Sequence, residues 1–181
     1  MKKPSLIDYL YASMFTALVA VSGYISIPVP FSPVPITAQS MAVMLTGCIL
    51  NVRQSIMSMV TFLLLGTIGI PVFAGGRSGI GVLAGPTGGY LIGFLVAAII
   101  ISLLKGSANK IIRLGMANIL GSIIIYIIGT SWLMFVTGTG LYEAIAIGVL
   151  PYIPGDLLKC FAATLVGYTV NNQLAYSNMN E

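Results

Sequence analysis

The sequence predicts an all-α integral membrane protein, a bundle of six transmembrane helices, and three observations carry that expectation. Of its 181 residues 57% are hydrophobic and only 7% are charged, with a mean hydropathy of +1.02. A soluble domain spends about a quarter of its residues on charge, so too little charge is present here to cover a surface in water, and lipid must be the solvent. The charge that exists lies between long apolar runs of the length a bilayer requires. Prolines and glycines cluster between the same runs, where the chain has to turn. The expected organisation is one membrane domain over residues 1–181, with no length left for a soluble one.

Each helix follows from these signals. No charge occurs from Tyr9 to Val52, but Pro28, Pro30, Pro33 and Pro35 interrupt the run. Prolines spaced this closely remove donors and restrict their predecessors, so no helix passes through them. Helix 1 is therefore expected over residues 6–27 and helix 2 over 36–50. Asn51-Val52-Arg53 reads as a tight polar turn, and helix 3 runs over 54–70, ending before Pro71. A glycine-rich loop follows. Helix 4 spans 86–104 with Thr87 in its first turn, and helix 5 spans 111–136. The short apolar piece Tyr142–Leu150 precedes Pro151 and Pro154, after which helix 6 occupies 155–170. Helices 2, 3 and 6 are short of the ~20 residues a span needs, which calls for thinned bilayer or buried irregular backbone.

Basic residues orient the bundle. With both termini in the cytoplasm, Lys2, Lys3, Arg53, Lys105, Lys110 and Arg113 fall on the inner side, and only Arg77 and Lys159 fall on the outer side. Scattered in this way the eight basic residues make no nucleic-acid patch. No histidine is present, so no Ser/His/Asp or Cys/His set can be assembled, and no ATP-binding motif occurs; catalysis and resident cofactors are not expected. Cys48 and Cys160 sit in apolar runs without CxxC spacing and read as small buried residues, not as metal ligands.

Orientation does not account for Arg77 and Lys159. Ionisable groups at or just inside a span are costly and mark functional sites. Asp156 opens helix 6, where a carboxylate suits the positive end of the helix dipole, so capping and ligand contact both stand as readings. Lys159, three residues on, reads either as its ion-pair partner or as a cation for a ligand. Asp8, Glu143 and Glu181 read as solvated. The irregular connections, Pro28–Pro35, Pro71–Gly85 and Gly138–Pro154, are all outer ones, and they point to a substrate site under the outer loops. In the loop Phe73–Tyr90, seven glycines, Gly76 among them, offer backbone N–H groups, tight turns and room beside Arg77. It is neither a phosphate loop nor a dinucleotide fingerprint. Asn118 is a polar amide in an apolar span, read as a helix–helix hydrogen bond or a ligand contact. Tyr126 and Trp132 read as interface anchors or as an aromatic wall. Gly85, Gly89, Gly93 and Ala97 form a small-residue face on helix 4; Ala12, Thr16 and Ala20 form one on helix 1, with Ser13 and Ala17 beside it. One such face serves packing within the bundle, and a second is available to a membrane partner. The inventory suits capture of a small, partly apolar anion.

Four segments carry a family resemblance. Ile27-Pro28-Val29-Pro30-Phe31-Ser32-Pro33-Val34-Pro35-Ile36-Thr37-Ala38-Gln39, then Gly69-Ile70-Pro71-Val72-Phe73-Ala74-Gly75-Gly76, then Gly85-Pro86-Thr87-Gly88-Gly89-Tyr90-Leu91, and finally Pro154-Gly155-Asp156-Leu157-Leu158-Lys159 resemble the BioY family. That family consists of biotin-binding S components of energy-coupling factor transporters. The resemblance implies a substrate binder of the bacterial cell membrane that docks on a membrane coupling protein carrying two cytoplasmic ATPases; a solo biotin carrier is the alternative. It implies biotin under the outer loops, with Asp156 and Asn118 at the ureido ring. Arg77 or Lys159 would stand at the valerate carboxylate or neutralise Asp156. Gln39, Phe73, Tyr90 and Trp132 would form walls, and helix 1 would dock through Ala12, Ser13, Thr16, Ala17 and Ala20. Where many relatives have a further glycine or lysine, this chain has Arg77-Ser78, which retains a cation.

Overall fold

The computed structural model describes residues 5–106 and 111–179; Lys2, Lys3, Lys110 and Glu181 lie outside the described residues. Eight α-helices are found among them: α1 Leu6–Ser22, α2 Gln39–Ile49, α3 Val52–Thr67, α4 Ile80–Ala84, α5 Gly88–Leu104, α6 Ile111–Thr137, α7 Leu141–Gly148 and α8 Ile153–Met179. Six lie where long helices were expected. The two short ones, α4 and α7, sit inside the irregular connections.

Boundaries differ where local chemistry outweighs hydropathy. The first helix ends at Ser22 and not at residue 27, and the chain passes into an extended segment at Ser26; Gly23 between them packs closely, since a Cβ there would meet the Gln39 amide and, at 3.0 Å, the Val72 carbonyl. Residues Ser26–Ile27 (β1) then pair antiparallel with Ile36–Thr37 (β2), so the proline-rich segment forms the end of a small hairpin. Helix α3 starts at Val52, two residues early. Asn51 accepts from the Gln54 N–H (2.9 Å) while the Gln54 side chain accepts from the Asn51 N–H (3.1 Å), a reciprocal capping box that turns part of the expected loop into helix. Helix α8 runs to Met179, well beyond residue 170.

Helix α6 is by itself long and apolar enough to cross a membrane, and α7 with α8 makes a bent pair, 53° at the break. Helix α2 has only 11 residues, and its neighbours complete its end. Lys105 Nζ donates to the Ile49 and Leu50 carbonyls (2.9 and 2.6 Å), Ser102 to Leu50 and Asn171 to Cys48. Carbonyls that the short helix leaves unpaired are thereby satisfied.

Small residues set the close contacts. Gly89 lies against Trp132 and Gly93 against the Ile125 backbone, so the small-residue face expected on helix 4 is used to seat α5 on α6. On α1, Ala12 and Thr16 are buried, and the Thr16 hydroxyl lies 3.0 Å from the Ser58 carbonyl of α3. Part of the helix 1 line expected for docking is therefore taken by packing within the bundle. Ala20 is half-buried against the core, whereas Ser13 and Ala17 are exposed. Asn118 is fully buried and donates to Thr164 (2.9 Å) while accepting from the Cys48 thiol (3.2 Å), which ties α6 to α8 and α2.

Candidate functional site

The end of the bundle that carries the β1–β2 hairpin, the loop before α4 and the start of α8 gathers the charges that orientation left over. Asp156 and Lys159 lie one turn apart on α8 and form an ion pair, with Lys159 Nζ 2.7 Å from Asp156 Oδ1. Lys159 also donates to Ser40 of α2 (3.0 Å), whose hydroxyl lies 3.3 Å from the same carboxylate oxygen. The other oxygen, Oδ2, accepts from the Tyr126 hydroxyl at 2.6 Å. Three helices thus hold one carboxylate, and the pair is nearly buried, with side-chain exposures of 14% for Asp156 and 18% for Lys159. A buried pair of this kind is tolerated because its polar atoms have partners.

Two narrow lobes open beside this cluster. One, about 50 Å³, is lined by Ser40, Tyr126, Tyr152, Asp156 and Lys159. The other, about 40 Å³, is lined by Gln39, Phe73, Arg77, Val82, Thr87 and Leu91. Val34, Pro35, Thr37, Tyr90 and Phe94 line both, so they form one two-ended chamber with a charged cluster at one end and Arg77 at the other. An outer recess of about 420 Å³ adjoins it through Pro35, Ala74 and Arg77. Small-molecule pockets run to about 300 Å³ or more, so a ligand larger than a few waters requires the chamber to widen.

The hairpin walls the chamber through Val34, Pro35 and Thr37. The Tyr152 hydroxyl donates to Ser32 (2.8 Å) and also meets the Val34 carbonyl, pinning the proline-rich segment to the α7–α8 turn. On the far side Tyr24 donates to the Pro71 carbonyl (2.8 Å).

Gln39, Phe73, Tyr90, Arg77, Asp156 and Lys159 therefore meet around one chamber. Gln39 is almost fully buried, and its Nε2 is bonded to the Val72 carbonyl (3.0 Å) and the Val19 carbonyl (3.3 Å), so it braces the wall as well as lining it. The Tyr90 hydroxyl donates to the Gly148 carbonyl (2.9 Å). Arg77 is exposed; its Nε donates to the Ala74 carbonyl (3.1 Å) across a turn in which Gly75 and Gly76 both hold positive φ. Gly76 shapes that turn and does not line the chamber. Nor do Asn118 or Trp132. The first is spent on the bonds between helices, and the second donates from Nε1 to the Gly85 carbonyl (3.0 Å), fastening the start of α5 to α6. Tyr126, read as an anchor or an aromatic wall, lines the site, and Ser40, Tyr152 and Phe94 join it without having been singled out as ligand contacts. Ser40 directly follows the Thr37-Ala38-Gln39 segment, and that adjacency was the available signal.

A model of the BioY family matches residues 1–176 of the chain. The chain belongs to that family. Among curated relatives, the biotin transporter BioY2 of Lactococcus lactis is 36% identical over 98% of this chain and 97% of its own length. The probable biotin transporter BioY of Bacillus subtilis is 38% identical over 96% and 95%. The fold is similar to the crystal structure of the S-component for biotin from an ECF-type ABC transporter, with a TM-score of 0.86, 30% identity and 92% of each chain covered. The curated relatives are named as transporters.

Proposed function

We propose that this chain captures biotin as the substrate-binding subunit of an ATP-driven importer of the energy-coupling factor type, working with a membrane coupling protein and two cytoplasmic ATPases. One observation carries the reading: the chamber is polar at both ends and apolar between. Biotin has the matching pattern, a ureido ring, an apolar bicycle and a carboxylate tail. Asp156 accepts from the ureido N–H groups and Lys159 neutralises it, while Tyr90 and Phe94 flank the bicycle. Lys159 is committed to Asp156 and Ser40, whereas no carboxylate pairs with Arg77 among the described residues. The valerate carboxylate is therefore assigned to Arg77. Arg53, Lys105 and Arg113 cluster around the opposite end of the bundle, through the Lys105 bonds to α2, the Arg113 bond to the Leu104 carbonyl (2.7 Å) and the charge of Arg53 acting on Asp8. That supports cytoplasmic termini in a bacterial plasma membrane.

Protein purified from cells fed with biotin should retain it in about equimolar amount, measured by mass spectrometry after denaturation. Protein that carries no biotin and shows no affinity for it would overturn the reading. In a host without coupling partners, uptake should be absent; uptake there would favour a solo carrier.

Two substitutions test the assignments separately. Arg77→Gln should weaken biotin binding about tenfold, or about 1.4 kcal/mol, yet leave binding of biotin carboxamide nearly unchanged. Equal losses for acid and amide would remove Arg77 from the carboxylate. On α1, Ala17 is exposed beside the buried line, so Ala17→Trp should preserve biotin affinity and strongly reduce uptake. Normal uptake by that variant would show that partner docking uses another face.

A further inference from the structure

A groove of about 240 Å³ runs along the outside of the seam between α6 and α8, lined by Ile119, Ile123 and Tyr126 on one helix and Ile153, Asp156 and Leu157 on the other. Exposed apolar side chains flank it on both helices, Ile127 on α6 and Leu158 and Phe161 on α8, so it is a concavity in the surface that faces the bilayer. Its polar lining is internally spent. Ser122 and Cys160, which complete the lining, lie 3.3 Å apart and bond each other, and Tyr126 is bonded to Asp156. Among these residues no hydrogen-bonding side chain lacks a partner, which disfavours a polar occupant and suits an aliphatic one.

The groove also has a neighbour. Tyr126 and Asp156 line it on one side and line the two-ended chamber on the other, and they are the residues common to both. A single hydrogen bond of 2.6 Å is therefore part of the wall between hydrocarbon and the ligand chamber. A carboxylate so close to lipid is costly if the wall parts or water follows it.

The geometry points to a lipid site: one acyl chain of the surrounding bilayer lies in this groove, covers the outer side of the Tyr126–Asp156 pair and keeps the chamber closed laterally. Lipid occupancy and ligand binding are then linked, because each supports the same wall. The site follows from the groove and not from the identity of the ligand, so it stands or falls apart from the biotin reading.

The test is photolabelling of the full chain in nanodiscs containing phosphatidylcholine with a diazirine within its acyl chain, followed by peptide mapping. Adducts should concentrate on the groove faces of α6 and α8, several-fold above those on the exposed face of α1 around Leu10, Met14 and Leu18. Leu157→Trp, a substitution at an exposed position that fills the groove, should remove the excess while leaving the α1 adducts unchanged. Labelling of the wild-type groove no denser than that of α1 would overturn the proposal, as would an excess that survives in a folded Leu157→Trp protein.

Discussion

Asp156→Ala is expected to lower biotin affinity by at least about a hundredfold, equivalent to about 2.8 kcal/mol. The carboxylate is the common acceptor for Lys159, Tyr126 and Ser40, so its loss removes the proposed ureido contact and the geometry of three neighbours together. Lys159 is left as a nearly buried ammonium without its counter-ion, and breaking such a pair costs about 3–5 kcal/mol. Binding and stability are therefore expected to fall together, and a second variant separates them. In Asp156→Ala/Lys159→Met the stranded charge is gone, so thermal stability should recover substantially while biotin binding stays lost. Isothermal titration and thermal unfolding of the four proteins of this cycle give the coupling directly. Wild-type affinity in Asp156→Ala would take the carboxylate out of the site. Recovery of binding in the double variant would make its role purely structural.

The same cluster shows what can be read from a one-dimensional chain. Composition and the absence of charge over long runs place six of the helices, because solvent choice is a property of whole segments. Asp156 and Lys159 are legible as a pair because their spacing fixes them on one face of one helix. Tyr126 and Ser40 are not, because their relation to Asp156 depends on how α6 and α2 rotate and register against α8, which no local pattern encodes. Asn118 illustrates the converse. A polar group in an apolar span is notable in sequence, but only packing decides between a helix–helix bond and a ligand contact, and here Thr164 and Cys48 take it. One boundary that moved is at Asn51, where a side-chain cap acts against the hydropathy trend.

Glycine also carries the second large effect, at Gly66. This residue lies near the end of α3 directly under the ring of Phe73, and a Cβ added there would sit inside the ring's contact surface. Phe73 has little freedom to retreat. It is 1% exposed and packed edge-on against Phe62, with ring centroids 5.6 Å apart. Its backbone N–H donates to the Arg77 carbonyl (2.9 Å), so displacement of the ring is passed to the loop that carries Arg77. Gly66→Ala should therefore destabilise the protein by about 1–3 kcal/mol, the usual cost of overpacking a core, and should weaken biotin binding through a residue that never touches the chamber. Gly81 supplies the contrast: it lies in α4 with open space around its Cα and no positive φ, so Gly81→Ala should be neutral or slightly stabilising. Shortening the aromatic ring in Gly66→Ala/Phe73→Leu returns room to the site and should recover part of the stability. A Gly66→Ala protein as stable as the wild type would mean that the ring has space to move. A destabilised double variant no better than the single would place the strain in the α3 backbone and not in Phe73.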